Sequence, residues 1–346
     1  MGLNIKEIIQ KKEIEISDLK GKTICVDAFN SLYQFLSSVR QADGTPLMDD
    51  NKNITSHLSG ILYRNVALLE AGIKLIYVFD GKPPELKSKI HQKRNEVKEK
   101  AIEKYDEAKQ EENLEMMKRY SSMLVRIDDE MIKESKELLE AMGICIIEAP
   151  SEGEAQASFL CQTNNDIYAV ASQDYDSLLF KTKRLIQNLT LARRRKTISG
   201  YVEVKPLLIE LEKNLNELEI NQEQLICVGI MVGTDYNPKG IPGIGQKKAL
   251  QIVKELKTKE KIFEEIKKRI ENIEEKDKFE PEEIYSLFEN HQTKEEKIIF
   301  PKINKEKIIE ILIERHNFSE ERVLNQIEKL EKIEESKKQT GLNKWF

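Results

Sequence analysis

Acidic residues recur where strands should end. Between Ile144 and Phe180 the chain reads ICIIEAPSEGEAQASFLCQTNNDIYAVASQDYDSLLF. A short apolar run precedes Pro150, SEGEAQASFL opens a helix, and IYAVAS is a second apolar run. Glu152 and Glu154 stand at the first loop-to-helix junction, and Asp174 and Asp176 follow the second strand. Upstream, KTICVDAFN predicts a strand ending in Asp27, and KLIYVFD one ending in Asp80. One aspartate at a strand end is ordinarily a cap or turn residue; the repetition points to chemistry. In a parallel α/β sheet, ligands bind outside the carboxyl ends of the strands, so these acids would converge on one crevice. So many anionic oxygens do not stay ionised together without positive charge between them. Hard divalent cations take oxygen ligands, and Mg²⁺ is the usual ion where phosphate is the substrate. The pattern implies a metal-dependent site that cleaves phosphodiester bonds. Ser151 and Glu154 also fit an S-x-x-E capping box, in which Glu154 would reach back to a backbone N–H; Glu152 has no such structural reading.

The elements that must position these acids follow from periodicity and punctuation. SLYQFLSSVR continues the first strand as a helix that carries Tyr33 and Arg40. TSHLSGILYRNVALLEAG is an amphipathic helix with Thr55 or Ser56 as its cap and Gly72 as its stop, and DDEMIKESKELLEAMG is another. From Glu85 to Tyr120 apolar residues are scarce, bases lead and acids follow. That stretch reads either as a solvated helix pair held by i,i+4 ion pairs or as a projecting helical arch with a basic inner face. Residues 177–202 hold no acid but seven bases, Arg194 and Lys196 among them, a local patch suited to phosphate or a solvated loop. NQEQLICVGIMVGTDYNPKGIPGIGQKKALQIVKEL reads as helix, loop, helix, with Asp235 at the end of the first helix. The glycines of GIPGIG (Gly240, Gly243, Gly245) allow backbone N–H groups to face outward beside a helix N-terminus, with Lys247 and Lys248 adjacent, an arrangement suited to DNA phosphates. Residues 255–338 read as helical, charged and poor in landmarks.

Composition narrows the class. The 346 residues carry a net charge of −5 and are 39% apolar, enough for a sizeable core. No apolar run approaches a membrane span, the amphipathic start is no signal peptide, and Lys6 breaks the myristoylation pattern; an intracellular protein is expected. Cys25, Cys145, Cys161 and Cys227 form no C-x-x-C pair and read as buried free thiols. The four histidines show no ligand spacing.

Taken together, VDAFNSLYQFL, YVFDGKPPELK, EAPSEGEAQ, SQDYDSLLF, GTDYNPKGIPGIGQKKAL and the terminal QTGLNKWF resemble the flap endonuclease family, structure-specific 5′ nucleases related to XPG. The resemblance covers nearly the whole chain. Lacking a long basic tail, the sequence looks most like an archaeal member, and a cytoplasmic monomer is implied (nuclear if eukaryotic). The resemblance implies an α/β fold with a mixed, mainly parallel central sheet flanked by helices, a helical arch at about 82–128 and a helix–two-turn–helix DNA-binding element at about 221–256, all in one nuclease domain over 1–335. It implies removal of 5′ flaps from branched duplex DNA in replication and repair, with 5′–3′ exonuclease activity. By position, Asp27, Asp80, Glu152 and Glu154 match a first Mg²⁺ site, and Asp174, Asp176 and Asp235 a second, with Glu154 near both. Lys87 and Arg94 match arch-base residues that contact the scissile phosphate, Tyr33 an aromatic that stacks on a base, and Arg40 a basic residue beside the substrate. GIPGIG matches the duplex grip, often through a bound K⁺.

The terminus carries a separate signal. Gln339, Leu342, Trp345 and Phe346 have the spacing Q-x-x-L-x-x-aromatic-aromatic, and the last three fall on one face of a helical turn. The chain's single Trp lies there, after a polar run. Either this tail packs back on its own domain, or residues 336–346 form a flexible anchor that orders on a partner; the resemblance names that partner as the sliding clamp (PCNA). Two rival functions remain from the residues alone: a ribonuclease of the PIN type, and a non-catalytic DNA scaffold, which would have no use for so many mutually repelling acids.

Overall fold

The computed structural model describes residues 3–41, 43–82, 126–191, 194–197, 200–271, 273–274 and 278–342, of which 194–197, 200–201 and 337–342 by backbone alone. Residues 83–125, which hold most of the expected arch with Lys87 and Arg94, lie outside the described residues, as do Trp345 and Phe346.

The centre is a seven-stranded sheet. In chain order its strands are β1 (Lys12–Glu13), β2 (Thr23–Asp27), β3 (Lys74–Phe79), β4 (Cys145–Glu148), β5 (Ile167–Ala171), β6 (Arg184–Gln187) and β9 (Leu207–Glu210); β7 (Arg194–Thr197) and β8 (Gly200–Glu203) pair as a separate hairpin. The order across the sheet is β1-β9-β6-β5-β2-β3-β4. The block β6-β5-β2-β3-β4 is parallel throughout, while β9 and β1 join antiparallel at one edge. The sheet is therefore mixed and mainly parallel. Every residue of β2 is buried, as a strand covered on both faces requires. Ile24 and Val26 enter one core with Leu32 and Phe35 of α1 (Ala28–Ser38), with α2 (Ser56–Glu70) and with α3 (Asp129–Ala141). Cys25 enters the opposite core with Ala157, Leu160 and Cys161 of α4 (Gly153–Thr163). All four cysteines are buried and unbridged, as their scatter implied.

Chain order sets the crevice. From β2 the chain moves outward to β3 and β4, then returns across β2 to lay down β5 and β6 on the other side. The switch point falls between β2 and β5, where the connections leave toward opposite faces and open a cleft. Asp27 ends β2, and Asp174 follows β5 by three residues.

Beyond β5 come α5 (Asp176–Leu179), α6 (Leu211–Leu218), α7 (Gln222–Val232), α8 (Gln246–Leu256), α9 (Lys259–Ile270) and α10 (Pro281–Glu289). These helices share a second large core with Leu185, Ile209 and the N-terminal Leu3, Ile5 and Ile9. The region expected as helix over 255–338 is interrupted: residues 290–304 carry no regular structure. Ile298 in this segment packs on the core between the sheet and α4. Two further helices follow, α11 (Lys305–Ile309), which runs into a π turn over Glu310–Arg315, and α12 (Glu320–Leu342).

His316 ties this C-terminal portion to the rest. Its Nδ1 lies 2.9 Å from Asp49 Oδ2 and its Nε2 lies 2.8 Å from Glu134 Oε1, all three residues buried. Burial works to raise the Asp49 carboxyl, but hydrogen bonds from His316 and Asn53 hold it below the usual carboxylate value. A depressed carboxylate stabilises the fold above its unfolded pKa, about 4, and loses that contribution as pH falls through the lowered value. His316→Ala strips both acids of this partner, and breaking such a buried pair costs about 3–5 kcal/mol. Denaturant titration should show that loss at neutral pH and a smaller one at strongly acidic pH; a variant as stable as the parent at neutral pH would contradict the assignment.

Candidate active site

The acids come together because the strands that carry them are neighbours. In the sheet order β5-β2-β3-β4, the four strands run in one direction, so their carboxyl ends share an edge. Asp27 is the last residue of β2, Asp80 follows β3, Glu152 and Glu154 open α4 after β4, and Asp174 and Asp176 follow β5. Asp235 arrives from the second core, three residues after α7.

Specific bonds fix the six acids that the strands deliver. Asp27 caps α1, accepting from the Asn30 backbone N–H at 3.0 Å, so the cap reading and the site reading hold at once. The Asn30 amide donates to Asp174 Oδ2 at 3.0 Å, which joins the acid after β5 to the helix after β2. The Ser172 hydroxyl lies 3.2 Å from Asp27 Oδ2 and 3.0 Å from Glu154 Oε1. One hydroxyl proton between two carboxylates cannot satisfy both at once. Asp80 Oδ1 accepts the Gly153 backbone N–H at 2.6 Å. That approach demands glycine, because a Cβ at 153 would stand 2.8 Å from the same oxygen. Glu152 Oε2 accepts from the Tyr236 hydroxyl at 2.5 Å, and Asp176 Oδ2 takes the Leu3 backbone N–H at 3.3 Å.

Glu154 departs from the capping-box expectation. The N-cap of α4 is Glu152, not Ser151, and its side chain makes no cap bond. Helix entry one residue later turns Glu154 away from the backbone, and its carboxylate accepts from Ser172 and from Ser177 at 3.1 Å.

The electrostatics show how costly the gathering is. Burial first, then the charges of Asp80 and Asp174, push the Asp27 carboxyl up to about 7, against hydrogen bonds from Asn30 and Ser172 that favour its ionised form. Tyr236 is held far above the ordinary phenol range, first by burial and then by Glu152, Asp176 and Asp235, so it stays a donor. Among the described residues, no three acidic, histidine or cysteine side chains close to the spacing of an ion cage. Carboxylates that repel one another stay apart unless a cation draws them in. The donor set, all oxygen and strongly anionic with one member lifted by its neighbours, fits a hard divalent cation such as Mg²⁺.

Other expected residues fall on described elements. Tyr33 is on α1 with 44% of its surface exposed. Arg40 lies just past α1 rather than within it, its guanidinium bonded to the Ser37 and Gly44 carbonyls. In the turn between α7 and α8, Gly240 (φ +55°) could not carry a Cβ, which would fall 2.4 Å from the Val232 carbonyl, and Gly243 has φ +76°. Gly245 is the N-cap of α8, whose start at Gln246 matches expectation. Lys247 pairs with Glu7 at 3.3 Å, both exposed, and Lys248 Nζ lies 3.5 Å from the Gly243 carbonyl. Such an exposed pair is worth little and leaves Lys247 available to another anion. Arg194 and Lys196 lie on β7, whose backbone pairs them with Glu203 and Tyr201 of β8. Gln339 and Leu342 lie on the backbone of α12. The residues that sequence reasoning passed over are Asn30, Ser172, Ser177 and Tyr236. Each stands inside an acid-bearing motif (VDAFN, SQDYDS, GTDY), and that adjacency was the available signal.

Comparison with known proteins gives the family and agrees with the fold. Residues 2–101 match the XPG N-terminal domain and residues 143–235 the XPG I-region. The chain is 50% identical to flap endonuclease 1 of Saccharolobus solfataricus over 97% of each chain, and 48% identical to that of Staphylothermus marinus over the whole of both. The solved structure of flap endonuclease-1 from Methanococcus jannaschii is 36% identical, with a TM-score of 0.74, covering 97% of this chain and all of that one. The chain belongs to the flap endonuclease family. Among its described residues no helix is long and apolar enough to cross a membrane.

Charge relief gives a direct test of the crowding at Asp27. Asparagine caps a helix as well as aspartate does, so Asp27→Asn keeps the bond to Asn30, removes the charge and turns the acceptor facing Ser172 into an amide donor, whose hydrogen bond the Ser172 oxygen can accept. In metal-free buffer at pH 8 the variant should melt above the parent. A lower melting temperature would mean that Asp27 is not repelled by its neighbours.

Proposed function

We propose that this chain is a structure-specific 5′ flap endonuclease with 5′–3′ exonuclease activity, acting on branched duplex DNA in replication and repair as a cytoplasmic monomer. The observation that carries the reading is the delivery of six carboxylates to one edge by four adjacent parallel strands. Family membership supports the substrate class, since the relatives named above are flap endonucleases.

Asp27, Asp80, Glu152 and Glu154 would hold one Mg²⁺, and Asp174, Asp176 and Asp235 a second, with Glu154 near both. When bound, such ions supply an activated water and neutralise charge on the phosphate and the leaving oxygen. The chain's own groups do the rest. Ser172, Asn30 and the Gly153 N–H orient the carboxylates. Lys87 and Arg94 meet the charge that develops on the phosphorane. Exposed Tyr33 stacks on a base near the cleavage point, with Arg40 beside the strand. The GIPGIG turn, the N-terminus of α8, Lys247 and Lys248 grip duplex phosphates, with K⁺ as a candidate bridging ion, and Arg194 and Lys196 add a second basic contact. No serine, cysteine or histidine nucleophile is needed, and the products are a 5′-phosphate and a 3′-hydroxyl.

A panel of substrates with Mg²⁺ separates the rivals. Double-flap DNA should be cut in preference to flapless duplex, and single-stranded RNA left intact; preferred cutting of RNA would favour the PIN-type reading, and no cutting the scaffold. Asp176→Ala should abolish cleavage while duplex binding persists, and near-parental cleavage would overturn the metal assignment.

The tail reading is tested independently. Trp345→Ala with Phe346→Ala should abolish binding to the sliding clamp, because aromatic anchors dominate small interfaces, and should leave clamp-free cleavage unchanged. Equal clamp affinity by calorimetry would reject the anchor. A fall in thermal stability would favour a tail packed on its own domain.

A further inference from the structure

Asp235 and Tyr236 are consecutive, and both bring groups from the second core toward the acidic edge. Asp235 is the acid that arrives from the second core, whereas the Tyr236 hydroxyl reaches Glu152, at the start of α4. Both partners are buried, Tyr236 at 4% and Glu152 at 9% exposure. Glu152 occupies the N-cap of α4, and its side chain makes no cap bond there.

The phenol is held firmly. Its loop is self-bonded: Asn237 Oδ1 accepts from the Thr234 N–H at 3.0 Å and the Thr234 hydroxyl at 2.8 Å, Asn237 donates to the Ile230 carbonyl of α7, and the Tyr236 N–H donates to Thr234 Oγ1. The ring meets Phe288 of α10 edge-on at 5.3 Å, and Phe288 lies 5.0 Å from Phe180. A ring seated in this way has little freedom to follow a moving carboxylate; the carboxylate follows the ring.

We infer that Tyr236 is a positioning residue for Glu152, fixing the orientation of that carboxylate and thereby setting the affinity of its group for a divalent cation. This rests on the metal reading proposed above. A carboxylate has about four lone-pair sites on its two oxygens, so one phenol bond leaves capacity for an ion. Partners that orient metal ligands typically change affinity about 10–100-fold when removed. The placement also joins two functions. Tyr236 lies four residues before Gly240, so the loop that orients Glu152 is continuous with the turn proposed to grip duplex DNA.

The test is a calorimetric titration of Mn²⁺ into the full-length, metal-free protein without DNA, for the parent, Tyr236→Phe, Glu152→Gln and the double variant. Tyr236→Phe removes one oxygen and keeps the ring against Phe288. Its Mn²⁺ affinity should fall about tenfold or more, and the same substitution should add nothing further in the Glu152→Gln background. Affinity of Tyr236→Phe within about twofold of the parent, or an equal loss in both backgrounds, overturns the inference. A parent that takes up no Mn²⁺ overturns the metal reading itself, so the two failures are distinguishable.

Discussion

Mutual repulsion among carboxylates gathered at one sheet edge, Asp27 and Glu152 buried among them, is the constraint on which this structure turns. Folding the parallel block of the sheet necessarily brings Asp27, Asp80, Asp174 and the two glutamates of α4 to one edge. Asp27 registers the strain most plainly, lifted to about 7 by burial and by the charges beside it. A chain selected only for stability would place apolar or paired groups there. Retaining the acids makes physical sense if a cation completes the site, as the proposed metal reading requires.

The scaffold bears this stress with short, directional contacts. Ser172 stands between Asp27 and Glu154, Asn30 links α1 to Asp174, and the absence of a side chain at Gly153 allows its N–H to meet Asp80. Each partner is a backbone amide or a small polar side chain on a regular element or immediately beside one. Sites built on such elements hold their geometry better than sites on loops. Two large cores meet here: the sheet and α1–α3 on one side, and α7–α10 on the other, from which Tyr236 reaches Glu152.

Much of this was legible in the residues. The strands ending at Asp27 and Asp80, and those preceding Glu152 and Asp174, announce themselves as apolar runs closed by acids, and they are the four that form the crevice. The sheet's other members were not legible. RLIQ and LLIE are four residues each, and β9 is preceded by Pro206, so periodicity has too little length to act on. β1 is two exposed residues whose pairing with β9 joins Lys12 to Leu208, far apart in sequence. His316 was invisible for a related reason: its partners Asp49 and Glu134 are distant in sequence, and only the tertiary fold brings them together. Glu154 misled because a local capping signal competed with a long-range one, and Ser172 and Ser177 prevailed.

Anomalous diffraction from crystals soaked in Mn²⁺ would locate the cations against the carboxylates directly. The account predicts two peaks at the carboxyl edge of the sheet, one among Asp27, Asp80, Glu152 and Glu154 and one among Asp174, Asp176 and Asp235. Peaks confined to other surfaces, or none at this edge under saturating Mn²⁺, would contradict it.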